Sequence, residues 1–293
     1  MSLFLSLLFT VFTQSPALHA DVDGQFFPGD AKSQYYVAPD GVKVHYVTMG
    51  DKGTPVVLIH GYYANARLNW FANGIATELA KTNRIIAIDN RGHGRSDKKY
   101  RKKYYGSNFW KDVIAIMDEQ KITKAHFHGY SMGGGILTQV LFHAPERVIT
   151  ATFGGSGILE YDKELIAQIP ADKKPTPLIE SQEEAAQEFV KKQTNPDWLA
   201  LYFVRRSGPF DAKENDRIDL TKVDIPVLAI NGEYDAPNAR SARMQRELAD
   251  FQHVVIPGKG HLTVIAPGFM PPEYREASIQ FILDYDQAQT SRP

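Results

Sequence analysis

No cysteine occurs among the 293 residues. That absence excludes disulfides, a thiolate nucleophile, cysteine-based metal sites and the acylated cysteine of a lipoprotein. Net charge is nearly absent too. Thirty-three basic residues against 34 acidic ones leave −1, so no global field recruits nucleic acid or anionic lipid. The Lys98 to Lys103 cluster (KKYRKK) is short and isolated, and reads as a solvated loop. Internal repeats and low-complexity tracts are missing. The apolar run Leu3 to Phe12 is too short to span a bilayer comfortably. With Pro16 and the small-residue pattern Ala17-Leu18-His19-Ala20 behind it, it reads as a signal peptide over 1–20, cleaved after Ala20. No Lys or Arg precedes the run, which departs from the usual signal. The expectation is an exported chain, periplasmic or secreted, with no stable membrane insertion after cleavage.

What is present is a chain long enough to bury a large core, with 43% hydrophobic and 23% charged residues. Val42 to Val47 read as an early strand after the turn Pro39-Asp40-Gly41. The continuous apolar run Pro55 to Ile59 suits a strand buried on both faces of a parallel sheet, and Arg84 to Ile88 make the next strand. Ala125 to His128, Val148 to Phe153, Pro226 to Ile230 and Val254 to Ile256 continue the series. Between them, Phe71, Ile75 and Leu79 fall on one helical face, and Trp110, Val113, Ile114 and Met117 on another. A last helix runs from Pro272 to about Tyr285. This alternation predicts an α/β fold with a mostly parallel, doubly wound sheet.

Composition changes after Gly157. The stretch 159–220 is rich in charge and proline, and carries two short helical patterns. One opens on a capping box of Ser181 with Glu184; the other starts at Asn195-Pro196 and aligns Trp198, Leu199, Tyr202 and Phe203. The predicted organisation is therefore a core of 21–158 and 221–293, with 159–220 inserted as a small helical lid.

Gly129-Tyr130-Ser131-Met132-Gly133 lies between a strand pattern and a helix pattern that Pro145 stops. A serine there, with glycine two positions before and after, fits a nucleophile elbow: only glycine avoids collision beside so sharp a turn. The Met132 amide, first in the helix, would point where a substrate oxyanion develops. A serine hydroxyl needs a base to take its proton, and a histidine needs a carboxylate to fix its tautomer. Two later strand ends supply candidates, Asn231-Gly232-Glu233-Tyr234-Asp235 and Pro257-Gly258-Lys259-Gly260-His261. The carboxyl ends of parallel strands share one rim, so Ser131, Asp235 and His261 would meet there. Glu233 is the alternative acid.

These motifs make the chain resemble the α/β-hydrolase superfamily over roughly 35–285. They are His60-Gly61-Tyr62, the loop Asp89 to Ser96 (DNRGHGRS), G-Y-S-M-G, G-E-Y-D and G-K-G-H. The subgroup it is most similar to covers single-domain esterases, lactonases and cofactor-free haloperoxidases or perhydrolases. The resemblance implies Ser131 as nucleophile, His261 as base and Asp235 as acid, with an oxyanion hole from the backbone amides of Tyr62 and Met132. It implies no cofactor and no metal. Tyr63 departs from the proline or small residue common after the oxyanion position. Serine at 131 argues against epoxide hydrolases and haloalkane dehalogenases, which use aspartate there.

Plainer roles stand beside these. His60 and Asp89 would order loops under the site, and Arg91, His93 and Ser96 would hydrogen-bond their own loop. His126 and His128 have zinc-like spacing, but no third ligand is evident. The lid aromatics serve either the lid core or a substrate wall. The expected activity is hydrolysis of a carboxylic ester, thioester or lactone through an acyl-enzyme at Ser131, with a small-molecule ester as partner and no nucleic acid. A perhydrolase or acyltransferase using the same triad, or a silent binding protein of this fold, are the alternatives.

Overall fold

The computed structural model describes residues 18–20, 26–207 and 218–290. The signal-peptide reading falls largely on 1–17, outside the described residues. Its last three residues form a short strand, β1 (Leu18–Ala20), antiparallel to β2 (Phe26–Pro28). Among the described residues, no helix is long and apolar enough to cross a membrane.

The centre of the molecule is an eight-stranded sheet. Its strands are β3 (Lys32–Val37), β4 (Lys43–Met49), β5 (Pro55–Ile59), β6 (Arg84–Ile88), β7 (Ala125–Tyr130), β8 (Val148–Gly154), β9 (Val227–Gly232) and β10 (Phe251–Ile256). Their spatial order is β10-β9-β8-β7-β5-β6-β4-β3. Six neighbours from β6 to β10 run parallel; β4 pairs antiparallel with β6 and with the edge strand β3. The expected doubly wound, mostly parallel sheet is what the chain forms. PVVLI and RIIAI are buried on both faces, as their unbroken hydrophobicity requires. β3 escaped the sequence reading because its residues alternate between exposed and half-buried, without a strong apolar run.

The flanking helices are α1 (Ile75–Leu79), α2 (Asn108–Glu119), α3 (Met132–His143), α4 (Lys163–Ile166), α5 (Pro177–Thr194), α6 (Trp198–Ser207), α7 (Pro237–Glu247) and α8 (Pro272–Thr290). Two hydrophobic clusters, one on each face, bury the sheet. The single helix expected through Phe71, Ile75 and Leu79 is broken. A π-helical turn, Arg67–Phe71, precedes α1, and Gly74 at φ 82° separates the two. All three apolar residues are still buried.

The stretch 159–220 also differs in detail from the expected helices. Ser181 does not cap a helix. The cap is Thr176, whose hydroxyl accepts from the Ile179 amide at 3.4 Å, and Pro177 opens α5. Proline at the first helical position needs no amide partner and brings the preset φ, so it outcompetes the later serine. Asn195 ends α5 in the left-handed region at φ 41°. Asp197 caps α6 instead, accepting from the Ala200 amide at 2.9 Å.

The chain leaves β5 for β6 on one side, then returns to β7 on the other. That reversal opens a crevice at the carboxyl ends of β5 and β7, where open α/β sheets hold their ligands.

Candidate active site

Ser131 sits at the end of β7 with φ 51° and ψ −110°, a conformation rarely adopted by an L-residue. Strain of this kind costs of order 1–3 kcal/mol and persists only where the surroundings enforce it. They do. A Cβ on Gly129 would overlap the Gly133 carbonyl, and one on Gly133 would overlap the Ile59 carbonyl on β5. The Ser131 amide donates to Gly154 O at 2.8 Å, tying the turn to β8.

The three residues expected to meet do so. Ser131 Oγ lies 2.9 Å from His261 Nε2, and His261 Nδ1 lies 2.8 Å from Asp235 Oδ2. Asp235 is buried, so its charge is little screened. A carboxylate accepts only, so Nδ1 carries the proton and Nε2 presents its lone pair to the serine hydroxyl. Glu233 points elsewhere: its carboxylate pairs with Lys173 and accepts from the Gly258 amide at 2.8 Å. Those contacts hold its carboxyl below the usual range.

Tyr62 and Met132 flank the serine from two elements. Gly61 packs beside Ser131: a Cβ on it would stand 3.4 Å from Ser131 Cβ. Neither the Tyr62 nor the Met132 amide meets an acceptor among the described residues. His60 fixes the first of these peptides. Its Nε2 accepts from the Asn90 amide at 2.9 Å, which leaves the proton on Nδ1 to donate to Gly61 O at 2.7 Å. Because a trans peptide directs N–H opposite to C=O, anchoring Gly61 O aims the Tyr62 amide. Burial holds the His60 imidazole below its ordinary value, so it stays neutral in this role.

His93 secures the next peptide, with Nε2 2.5 Å from Tyr62 O. Burial first, and the neighbouring His60 second, push its imidazole down to about 3. Burial alone would raise the Asp89 carboxyl. The hydrogen bond from His45 (2.8 Å) and the Arg95 amide outweigh it and hold the group well below the usual range. Asp89 also accepts from the Ala66 amide at 2.7 Å, so it orders the loops as expected. Arg91 does not bond only its own loop. It reaches α2 and pairs with both oxygens of Asp112 at 2.6 Å, because a buried guanidinium needs a charged partner. Ser96 does bond within its loop, donating to Asp89 O at 2.5 Å.

Ser131 and His261 open into a largely apolar cavity of about 230 Å³. Tyr62, Tyr63, Leu68, Leu262 and Ile265 form its core-side wall. Its roof is α5, through Gln187 and Val190, and not the aromatics of α6. Trp198 and Tyr202 face outward and are about half exposed. Phe203 packs toward the main core instead. The i, i+4 spacing found an apolar face but could not say which face the core would take, and Ala200, Leu201 and Val204 took it.

The pair His126 and His128 bind other partners. His126 meets Thr150 at 2.8 Å and Asp286 at 3.1 Å, while His128 meets the Tyr274 hydroxyl at 3.0 Å. No cluster of three metal-ligating side chains occurs among the described residues. Contacts of three residues here were not foreseen from the sequence: Arg240, 3.0 Å from Asp235 Oδ1; Tyr130 of the elbow motif, whose hydroxyl donates to His261 O; and Glu183. Only the glycine before His261 hinted that something approaches that loop closely.

Residues 54–175 match the family described as alpha/beta hydrolase fold. The chain is 40% identical over 99 residues to a dihydrolipoyllysine-residue acetyltransferase component of an acetoin cleaving system from Pseudomonas putida. That match covers 34% of this chain and 26% of the relative, so only about a quarter of the relative's length is spanned. It is 35% identical over 107 residues to a 2-hydroxymuconate semialdehyde hydrolase from Pseudomonas sp., covering 36% of this chain and 37% of that one. Among solved structures, an N-acyl homoserine lactone degrading enzyme superposes with TM-score 0.58 at 26% identity, covering 85% of this chain and 100% of that one. A carboxylesterase from Nitrososphaera gargenis superposes with TM-score 0.68 at 18% identity, over 87% and 100% of the two chains, which shows the fold alone.

Proposed function

We propose that this protein, which has the α/β-hydrolase fold, is a serine hydrolase cleaving carboxylic esters, thioesters or lactones through an acyl-enzyme. The observation that carries the reading is the continuous chain of contacts from Ser131 Oγ through His261 to Asp235, at 2.9 and 2.8 Å, opening into an apolar cavity. The name of one similar structure, an N-acyl homoserine lactone degrading enzyme, supports the same reading.

In this reading Ser131 Oγ bonds to the substrate carbonyl carbon as its proton passes to His261 Nε2. The carbonyl oxygen becomes an oxyanion facing the amides of Tyr62 and Met132; one such donor is worth roughly 3–4 kcal/mol of barrier. The intermediate collapses, the bond from the acyl carbon to the leaving oxygen (sulfur in a thioester) breaks, and His261 returns the proton to the departing alcohol or thiol. Water then repeats the sequence on the acyl-enzyme: His261 takes its proton, the acid leaves, and Ser131 is restored. Asp235 stays ionised, fixing the tautomer and stabilising the imidazolium.

The test is labelling of folded protein with a fluorophosphonate probe, together with turnover of p-nitrophenyl acetate. Wild type should label stoichiometrically and turn over; Ser131→Ala should do neither. Folded wild type that neither labels nor turns over would leave a binding protein as the reading. Faster acyl transfer to hydrogen peroxide than to water would make it a perhydrolase.

A further inference from the structure

The loop that carries His261 is gripped from the inserted stretch. Glu183, on the second turn of α5, places both carboxylate oxygens on that loop. Oε2 accepts from the Leu262 amide at 2.7 Å and Oε1 from the Thr263 amide at 2.8 Å. These amides open a helical turn in which Ala266 N returns to Leu262 O at 2.8 Å and Ile265 N to the same oxygen at 3.1 Å. Their hydrogens are therefore the ones a turn leaves without an internal acceptor. A carboxylate there makes charge-assisted bonds, about twice as strong as neutral ones. Gly260 admits it: a Cβ at that position would stand 2.6 Å from Glu183 Cδ. The Gly260 amide turns aside to Thr263 Oγ1 at 2.9 Å.

His261 is thus fixed at three points by three elements. Asp235, beyond β9, holds the ring, Tyr130 on β7 holds the backbone carbonyl, and Glu183 on α5 holds the two following amides. The first lies on the loop after β9, and the second is the last residue of β7, next to Ser131. The third crosses from the helix that also roofs the cavity, with Ala186 and Val190 packed on Leu68 and Ala266. Glu183 lies one turn before Gln187, which lines the cavity. The same helix therefore covers the substrate space and clamps the backbone beside the proposed base.

We propose that Glu183 is a positioning residue through which docking of α5 sets His261 in line with Ser131. When α5 is seated, its carboxylate clamps the 262–263 amides and the imidazole keeps its bond to Ser131. When α5 lifts, the turn loses its acceptor and the imidazole is freed on one side. The inserted stretch then governs chemistry as well as access. This rests on the serine-hydrolase reading for its kinetic consequence, but not for its structural one.

The test is a series at Glu183, read in two ways. On p-nitrophenyl acetate, Glu183→Ala should lower kcat roughly 10- to 100-fold, since small misplacement of a catalytic group has that effect. KM should change less than about two-fold, because so small an acyl group leaves α5 largely untouched. Fluorophosphonate labelling of Ser131 should slow by the same factor. Glu183→Gln, which keeps the shape but only one good acceptor, should fall between. Glu188→Ala, at an exposed glutamate paired with Lys191, should match wild type. Variants are compared below their melting points, so a purely structural role would lower Tm and leave kcat unchanged.

The second readout does not need activity. The Nδ1 proton of His261, held by Asp235, should give a low-field proton resonance in wild type that broadens or vanishes in Glu183→Ala. Folded Glu183→Ala with wild-type kcat and labelling, or with an unchanged resonance, would overturn the proposal while the triad stood. Wild type that fails to label overturns the hydrolase reading, and the resonance still decides the role of Glu183.

Discussion

Arg240 pairs with Asp235 through the carboxylate oxygen that His261 leaves free. Oδ1 is 3.0 Å from Arg240 Nη2, while Oδ2 is 2.8 Å from His261 Nδ1. The guanidinium also donates to the Gly155 carbonyl, so it is anchored to the end of β8. Asp235 is thus held between an imidazole and a guanidinium, and the guanidinium contact helps fix its rotamer. Arg240→Ala should leave Asp235 free to turn and lower kcat about ten-fold, a misplacement effect smaller than loss of the acid itself. Kinetics on p-nitrophenyl acetate check this, with Arg240→Lys recovering part of the loss.

Asp235→Asn should lower kcat by about four orders of magnitude near neutral pH, since an amide can present its NH₂ and hold the wrong tautomer. Glu233→Gln should stay within about two-fold, because that side chain pairs with Lys173 away from His261. Matched kinetics on both variants decide; the reverse ranking would move the acid to Glu233.

Ser131→Ala should abolish turnover and shift Tm by no more than about 2 °C, since the hydroxyl is lost but the strained backbone is kept. Calorimetry beside an esterase assay measures both.

The cavity of about 230 Å³ beneath α5 has room for a short acyl chain only. Activity, kcat/KM, should peak at acetyl to butyryl among p-nitrophenyl esters and fall toward palmitoyl. Val190, buried in the roof, sets part of that limit. Val190→Ala should move the optimum to longer chains and cost about 1–2 kcal/mol of stability. A steady rise into long chains in wild type would refute the compact cavity.

Asp286 on α8 accepts from Thr54 at 2.7 Å, Asn83 at 2.7 Å and His126 at 3.1 Å. Burial pushes its carboxyl up, but these hydrogen bonds outweigh it and hold the group below its ordinary value. A depressed carboxylate contributes stability that is complete above the unfolded value and lost as pH falls through the folded one. Asp286→Ala should therefore lower stability by roughly 2–3 kcal/mol at neutral pH, and the gap from wild type should close in strong acid. Thermal melts from pH 7 down to about 2 trace the difference.

The sequence by itself determined β4 to β10 and the meeting of Ser131, Asp235 and His261. Runs such as PVVLI and RIIAI can only be satisfied inside a parallel sheet, and parallel strands put their carboxyl ends on one rim. Ser131, Asp235 and His261 were legible because glycine-flanked strand ends are local, and their chain order is constrained by the sheet. Tertiary structure decided what no local pattern encodes. Which face of α6 turned inward depended on which apolar surface the core offered, so Trp198 and Tyr202 faced out. The helix start at Thr176 depended on a proline outcompeting a later capping box. Arg240 and Glu183 are ordinary charges on helices in the sequence. Only packing brings one within 3.0 Å of Asp235 and the other within 2.7 Å of the His261 loop, because an ion's role is set by its neighbours in space and not along the chain.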